Sequence, residues 1–356
     1  MRCTDSSRKR RMRARRKRKR IIRVMVLWLF ALCIVASFLI IRNLTAQECL
    51  VAEYENGHYN SSVHKGELFA SDLCIVNEDE NLEDGTLSDG TAEIPDSATL
   101  TSAALFNVEQ GSVDYSYNVY EKLYPASVTK IMTALVALEN GNLSDVVTVN
   151  VDASDFASDE QTCGLKRGDR LTLEALLNGL ILHSGNDNAN AIAEYIGGSI
   201  DGFAEMMNKK AAELMATGTH FVNPSGLHDD NHYTTAYDIY LIFNECIKNT
   251  DFLEIINKKD YKAEITGADG TKREITWEPS NYYAQGTVDL PQNATIIGGK
   301  TGTTRKAGNC LVLLNHSREG KPYISIVMGA KSKDLLYQDM TTLIQGIAPA
   351  ENMAES

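Results

Sequence analysis

Within residues 99–347 of this 356-residue chain, strand-like segments stand near both ends and helix-like segments lie between them. Near its start, residues 103–108 and 112–117 flank a Gln-Gly pair, which is typical of a β-hairpin. Near its end, residues 309–314 and 323–328 flank a Glu-Gly pair and predict a second hairpin. A parallel α/β sheet needs strands and helices that alternate. We therefore predict an α/β (α+β) fold, in which one antiparallel sheet is built from both ends of the domain and a helical lobe is inserted between them.

Helical spacing occupies the middle of the chain. Apolar residues at positions 128, 131, 132, 135 and 138 follow the period of an amphipathic helix, and Asn140-Gly141 ends it. Further helical patterns cover residues 172–183, 187–196, 200–217 and 333–345. The last of these predicts a helix that closes the domain.

The first 41 residues have a charge pattern unlike that of the rest. Residues 1–23 contain thirteen Lys or Arg and one acid, and residues 24–41 contain no charged residue. Eighteen uncharged residues are about enough to cross the hydrocarbon core of a bilayer, and the basic flank predicts a cytoplasmic N-terminus. The apolar run is longer than a signal-peptide core and no small-x-small cleavage site follows it, which favours an uncleaved transmembrane helix. This neighbour argues against nucleic-acid binding by the basic block.

We divide the chain into five segments. They are a basic cytoplasmic tail (1–23), a transmembrane signal anchor (24–41), a polar and acidic stalk and linker (42–98), a folded domain (99–347) and a tail (348–356). Five of the seven cysteines follow the anchor, so an odd number lies outside the membrane. Cys49 and Cys74 are the one pair that we consider for a disulfide, and their state stays open.

Three short motifs follow one another along the predicted domain: Ser127-Val-Thr-Lys130, Ser184-Gly-Asn186 and Lys300-Thr-Gly302. Together they supply a nucleophile, a base, a proton relay and an anion clamp, which is the set that acyl transfer through a serine ester requires. Each motif alone is common, and Ser62-Val-His-Lys65 in the stalk also has the first spacing. The order and the context of the motifs therefore carry the prediction.

The first motif stands at the start of a predicted helix. Ser127 and Lys130 are three residues apart there, so their side chains lie on one face. The helix start also directs backbone N–H groups and its positive dipole end toward an oxyanion. Lys130 can act as a general base only if its pKa falls toward neutral, and burial near a second cation such as Lys300 would lower that pKa.

The other two motifs suit proton transfer and substrate binding. Ser184 lies in a break between helical patterns, where its hydroxyl can pass a proton to a leaving amine, and Asn186 can hold a substrate amide. Lys300 and Thr301 follow an apolar run that contains glycines. On a strand edge these two residues can bind a carboxylate, and the strand can pair with an extended peptide.

The motifs and their order resemble those of the serine D-Ala-D-Ala carboxypeptidases, the low-molecular-mass penicillin-binding proteins. The resemblance covers roughly residues 100–347 and rests on the segments 124–134, 180–189, 221–227, 232–238 and 299–311. It implies a DD-peptidase/β-lactamase-like fold and removal of the terminal D-alanine from peptidoglycan stem pentapeptides, with β-lactam antibiotics as covalent inhibitors. It also implies an extracytoplasmic catalytic domain on a bacterial cell membrane, and no metal or cofactor.

The resemblance also implies the role of each motif residue. Ser127 would be the acyl nucleophile, Lys130 the general base and Ser184 the proton relay, while the backbone N–H groups of Ser127 and Thr303 would form the oxyanion hole. The implied substrate-binding residues are Asn186, Lys300, Thr301 and Gly302. Many relatives use an additional Arg to bind the carboxylate, and no arginine lies between Arg273 and Lys300. Which residue replaces it stays open.

Three other functions share part of this pattern. A serine β-lactamase of class A adds a Glu-x-x-Leu-Asn loop, and between the second and third motifs only Glu254-Ile-Ile-Asn257 approaches it. His228 and His232 stand four apart as in some metal hydrolases, but turn-forming residues precede them and no Glu stands beside the first. A catalytically silent wall-binding or penicillin-sensing protein is the third alternative, and the complete motifs argue against it.

Overall fold

The computed structural model of the protein describes residues 94–347. The two predicted tails (1–23 and 348–356), the anchor and most of the stalk lie outside these residues, as do Cys49 and Cys74. Among residues 94–347, no helix combines the length and the apolar character that crossing a membrane requires. The anchor over residues 24–41 and the five segment boundaries therefore stay predictions.

The described residues contain nine strands. They are β1 (Ser102–Asn107), β2 (Ser112–Tyr117), β3 (Val146–Thr148), β4 (Arg170–Thr172), β5 (Tyr261–Thr266), β6 (Lys272–Trp277), β7 (Ala294–Thr304), β8 (Gly308–Ser317) and β9 (Pro322–Ala330). The main sheet has the antiparallel order β2-β1-β9-β8-β7, which places strands from both ends of the described chain side by side. Both predicted hairpins form, and β7 lies at one edge of the sheet.

A second, smaller antiparallel sheet has the order β3-β4-β5-β6. The sequence analysis did not predict it: β3 and β4 contain only three residues each and show no strand period, and the alternating six-residue strands β5 and β6 were missed. Its last strand ends at the buried Trp277, whose indole N–H donates to the carbonyl of Cys163. The chain that follows Trp277 returns to the main sheet beside β7.

Eight α-helices surround the sheets in the part of the chain described. They are α1 (Lys130–Asn140), α2 (Leu173–Asn178), α3 (Asn186–Gly197), α4 (Ile200–Glu213), α5 (Ala236–Cys246), α6 (Thr250–Asn257), α7 (Tyr282–Gln285) and α8 (Lys333–Gln345). The closing helix is thus confirmed. The helix predicted to begin at Ser127 begins at Lys130 instead, after a 3₁₀ turn over Ala126–Thr129, and a π-helical turn over Gly179–His183 follows α2.

The main sheet separates two hydrophobic cores. Val312 and Leu314 of β8 pack on the side of the helical lobe, whereas Leu311 and Leu313 pack on the side of α8. In β7, Lys300 lies opposite Val312 and Thr301 lies opposite Leu311. Directly opposed residues share a face of the sheet, so Lys300 points toward the helical lobe and Thr301 toward α8.

Candidate active site

The turn before α1 brings the first predicted pair together. Residues i and i+3 eclipse each other in a 3₁₀ turn, and the Nζ atom of Lys130 lies 2.9 Å from the Oγ atom of Ser127. The preceding Ala126 has a φ of +48°, which is strained for a residue with a side chain. Gly226 lies directly against the Ala126 carbonyl, where a Cβ atom would collide with it. The contact with Gly226 therefore keeps the turn that carries Ser127 in place.

Lys130 is fully buried and has three partners. Its Nζ atom donates to the Asn186 side-chain oxygen and to the Ser225 carbonyl, both at 2.7 Å, in addition to its contact with Ser127. Burial, and then the positive charge of Lys300, hold the pKa of Lys130 well below its usual range. The direction of this shift and both of its causes match the hypothesis made from the sequence. Two fixed acceptors leave the lone pair of a neutral amine available to the Ser127 hydroxyl.

The second motif follows the π-helical turn. Ser184 has a φ of +66°, and this left-handed conformation ends the turn just before α3. The Ser184 hydroxyl accepts a hydrogen bond of 2.9 Å from Nζ of Lys300, which also donates to the Thr301 carbonyl. Lys300 is buried, and burial lowers its pKa to about 7. Ser184 therefore contacts an amine whose pKa lies near neutral.

Asp187 fixes the second motif to the rest of the lobe. Its carboxylate accepts from the backbone N–H groups of Cys163, Leu165 and Asn188, and burial raises its pKa. A Cβ atom at Gly185 would lie 2.6 Å from the sulfur of Cys163, so the two segments pack tightly. Sequence reasoning missed Asp187, although an acid in the first turn of a helix is a known capping signal.

Gly302 lets the third motif lie against the turn that carries Ser127. A Cβ atom there would come within 2.9 Å of the Pro125 carbonyl and 3.1 Å of the Ser127 nitrogen. The close approach aligns the end of β7 with the start of the Ser127 turn. The role of the Thr303 N–H in the oxyanion hole stays a prediction. Thr301 contacts the Ser280 hydroxyl at 2.5 Å, a partner that the sequence did not reveal.

These elements enclose a cleft of about 920 Å³. Six of the eight residues predicted for the site line it: Ser127, Ser184, Asn186, Thr301, Gly302 and Thr303. The other two, Lys130 and Lys300, are buried behind its wall. Since β7 is an edge strand, its backbone offers hydrogen-bonding groups to an extended peptide.

The two histidines considered for a metal site have different environments. His228 lines the cleft, with its Nε2 atom 3.4 Å from the Asp230 carboxylate. His232 is buried, and burial lowers its pKa to about 4. Its Nδ1 atom accepts from the Val222 N–H at 3.1 Å, so its Nε2–H donates to the Thr129 hydroxyl at 2.8 Å. Both ring nitrogens of His232 thus have protein partners.

Comparisons with known proteins agree with this geometry. The family model described as D-alanyl-D-alanine carboxypeptidase, peptidase S11, matches residues 89–332. The D-alanyl-D-alanine carboxypeptidase DacF of Bacillus subtilis is 34% identical over 241 residues, which cover 65% of this chain and 57% of DacF. DacC of Escherichia coli is 30% identical over 263 residues, 71% of this chain and 62% of DacC. The chain thus spans about three-fifths of the length of these curated relatives.

Solved structures have the same fold. The crystal structure of the Streptomyces K15 DD-transpeptidase matches with a TM-score of 0.64 at 30% identity, over 70% of this chain and 96% of that one. The D-alanyl-D-alanine carboxypeptidase of Mycobacterium tuberculosis H37Rv matches with a TM-score of 0.63 at 30% identity, over 74% of this chain and 97% of that one. The mixed fold with antiparallel sheets is therefore that of the DD-peptidases.

Proposed function

The chain belongs to the D-alanyl-D-alanine carboxypeptidase family, and from this premise we propose that it is a serine-type D-Ala-D-Ala carboxypeptidase. It removes the terminal D-alanine from peptidoglycan stem pentapeptides through an acyl-serine intermediate. The observation that carries the proposal is the 2.9 Å contact between the Ser127 hydroxyl and the amine of Lys130, whose burial lowers its pKa. A lysine that is neutral near physiological pH can remove the proton of the attacking hydroxyl.

Acylation begins when Ser127 transfers its proton to the Lys130 amine. The Ser127 oxygen bonds to the penultimate D-alanine carbonyl carbon, and the carbonyl oxygen becomes an oxyanion that accepts from the N–H groups of Ser127 and Thr303. The C–N bond then breaks. Ser184 gives its proton to the amine of the leaving D-alanine and then takes up the proton that Lys130 has accepted from Ser127. The Lys300–Ser184 hydrogen bond orients this hydroxyl.

Deacylation repeats the same steps with water. Lys130 accepts a proton from the water, the water oxygen bonds to the ester carbonyl, and the Ser127 oxygen leaves and regains its proton. β-Lactam antibiotics would acylate the same serine, Ser127, by opening of their ring, and the released amine would stay attached to the acyl group. In the cell, the predicted anchor over residues 24–41 would hold this site on the outer side of a bacterial membrane.

The test is release of D-alanine by the full-length protein from a peptide that ends in D-Ala-D-Ala, with a D-Ala-L-Ala peptide as the control. We expect time-dependent release from the first peptide only, and none by a Ser127→Ala variant. Release that persists in Ser127→Ala would contradict the assigned nucleophile. Rapid hydrolysis of benzylpenicillin with no release from the peptide would favour a β-lactamase.

A further inference from the structure

A group of aromatic and polar side chains lies beside the cleft and belongs to none of the three motifs. Two antiparallel bridges join the loop segments that carry it: Leu123 pairs with Thr234. The next residue, Tyr233, pairs with His220. Opposed residues of such a ladder share a face, and neighbours along the chain point to opposite faces. We call one of these faces the aromatic face, and it consists of Lys122, Tyr124, His220 and Tyr233.

The aromatic face combines ring surface with hydrogen-bonding groups. The Nζ atom of Lys122 lies 4.3 Å from the centre of the Tyr233 ring, and the His220 ring lies 5.9 Å from it. The Nδ1 atom of His220 is 2.6 Å from the Asn231 carbonyl. Because a carbonyl only accepts, Nδ1 carries the hydrogen, and Nε2 is the acceptor of the neutral ring. Lys122 and His220 are exposed, and both tyrosines are half-buried.

His228 connects the aromatic face to the cleft. It lines the cleft and packs edge-on against Tyr124, with the two ring centres 4.7 Å apart. The Asp230 carboxylate lies 3.4 Å from the Tyr124 hydroxyl and 3.4 Å from Nε2 of His228. A ligand that extends out of the cleft past His228 therefore meets the aromatic face.

The distance from the nucleophile to this face matches the length of the substrate. Tyr124 precedes Ser127 by three residues, so the chain between them spans at most about 10 Å. In a stem pentapeptide the scissile bond follows the fourth residue, and the first residue is attached to a sugar. The three residues before the fourth also span at most about 10 Å. With the fourth carbonyl at Ser127, that sugar can reach Tyr124.

The composition of the aromatic face suits a carbohydrate. Sugar rings have apolar C–H surfaces that pack on aromatic rings, and their hydroxyl and amide groups need hydrogen-bond partners. Tyrosine supplies both kinds of contact at a low cost in conformational entropy. The face contains one lysine, and Asp230 adds one acid beside it. It therefore lacks the excess of positive charge that a polyanion requires.

We propose that the aromatic face binds the sugars to which the stem peptide is attached. The inference rests on the proposed function and defines its substrate class further. The enzyme then acts better on stem peptides that carry their glycan than on free peptides. The peptide lies in the cleft, and the sugar at its N-terminus packs on Tyr124 and Tyr233 beyond His228.

The experiment compares two pentapeptides that end in D-Ala-D-Ala and differ only at the N-terminus, which is free in one and carries the peptidoglycan disaccharide in the other. Release of D-alanine by the full-length protein gives kcat/KM for each. We expect the wild type to prefer the disaccharide-bearing peptide. For Tyr233→Leu and His220→Ala we expect kcat/KM on this substrate to fall about fivefold, mainly through KM. Tyr233→Phe, which keeps the ring, should retain most of the preference.

Two controls separate sugar binding from a general loss of activity. On the free peptide, Tyr233→Leu and His220→Ala should match the wild type. Tyr195→Leu removes an exposed tyrosine of α3 that bonds to Asp145, away from the aromatic face, and should leave the kinetics on both substrates unchanged. The disaccharide without a peptide should compete with the disaccharide-bearing substrate in the wild type, and only weakly in Tyr233→Leu.

Equal kcat/KM of the wild type on both substrates would overturn the inference, and so would an equal loss on both substrates in Tyr233→Leu and His220→Ala. In either case, release of D-alanine by the wild type leaves the proposed function intact. Failure of the wild type to release D-alanine from both substrates would refute the function and the inference together.

Discussion

The two walls of the cleft are built in different ways. On the helical wall, Lys130, Asn186 and Asp187 are buried and linked by hydrogen bonds to loops from distant parts of the chain. On the strand wall, Thr303 and Arg305 stand exposed at the end of an edge strand. One wall is closed and the other is open to a ligand.

This difference shows how the fold separates reaction from recognition. Burial and a neighbouring cation both penalise the charge of a lysine and lower its pKa, and both conditions hold for Lys130. Backbone pairing with a peptide needs the opposite, an accessible strand edge. Gly302 joins the two walls, since it lets β7 approach the Ser127 turn. Changes to the buried groups and to the contact between the walls should therefore affect the rate of acylation, and changes at the exposed end of β7 should affect substrate choice.

The largest effect is expected from Lys130→Met. We expect the rate of acylation to fall by roughly a thousandfold or more, because the general base is lost. Lys130→Arg should not restore it, since a guanidinium stays protonated. The measurement is the rate of covalent modification by a fluorescent penicillin. Lys65→Met, in the second Ser-x-x-Lys sequence, is the control and should react like the wild type; substantial activity in Lys130→Arg would contradict the role of a neutral amine.

Gly302→Ala tests the contact between the walls. The added Cβ would lie about 3 Å from the Pro125 carbonyl and the Ser127 nitrogen, so β7 must shift. A misplacement of about 1 Å near the reacting atoms costs on the order of a hundredfold in rate. Gly320→Ala, in the β8–β9 turn, is the control: its φ of +83° strains the turn, but nothing lies within 4 Å of its added Cβ, so no part of the cleft has to move. If both variants acylate alike, the close approach is not needed for the reaction.

The pH dependence of acylation tests the electrostatic effect of Lys300, in β7, on Lys130 of the helical wall. Lys130 is active when neutral, so the rate should rise with pH as this amine loses its proton. Lys300→Met removes a cation that lowers the pKa of Lys130. The pKa of Lys130 should therefore rise, and the rising limb of the pH–rate profile should move to higher pH. Acylation rates of both proteins from acidic to alkaline buffers give the result. A limb that stays in place or moves to lower pH would show that Lys300 does not act on Lys130.

The smallest effect is expected from Thr129→Val. The change leaves the buried His232 N–H without its acceptor, which should lower the free energy of unfolding by about 2 kcal/mol. The acylation rate of the folded protein should change little, because neither group contacts the reacting atoms. Urea unfolding followed by circular dichroism measures the loss. A large decrease in acylation with unchanged stability would place His232 in the reaction instead.

The sequence predicted the elements that depend on nearby residues. Hairpins with Gly at the turn and the closing amphipathic helix formed as predicted, and so did the pair of Ser127 and Lys130, three residues apart. In the smaller sheet, Arg170–Thr172 is too short to show a period, whereas β5 and β6 do alternate and their signal was overlooked.

Contacts between distant residues account for most of what the sequence missed. The Ser225 carbonyl that accepts from Lys130 is 95 residues away and belongs to the backbone, which carries no residue-specific signal. Ser280, the partner of Thr301, follows a sheet that was itself not predicted. The pairing of Lys300 with Ser184 spans 116 residues and follows only from the fold, although their motifs predicted both as site residues.

Ser127 as the acylated residue is tested most directly by the intact mass of the full-length protein after incubation with benzylpenicillin. We expect a long-lived adduct of one penicillin molecule on the wild type and on Ser62→Ala, and no adduct on Ser127→Ala. This result would establish Ser127, and not the serine of the second Ser-x-x-Lys sequence, as the acylated residue. An adduct that persists in Ser127→Ala, or a wild type that forms none, would contradict it.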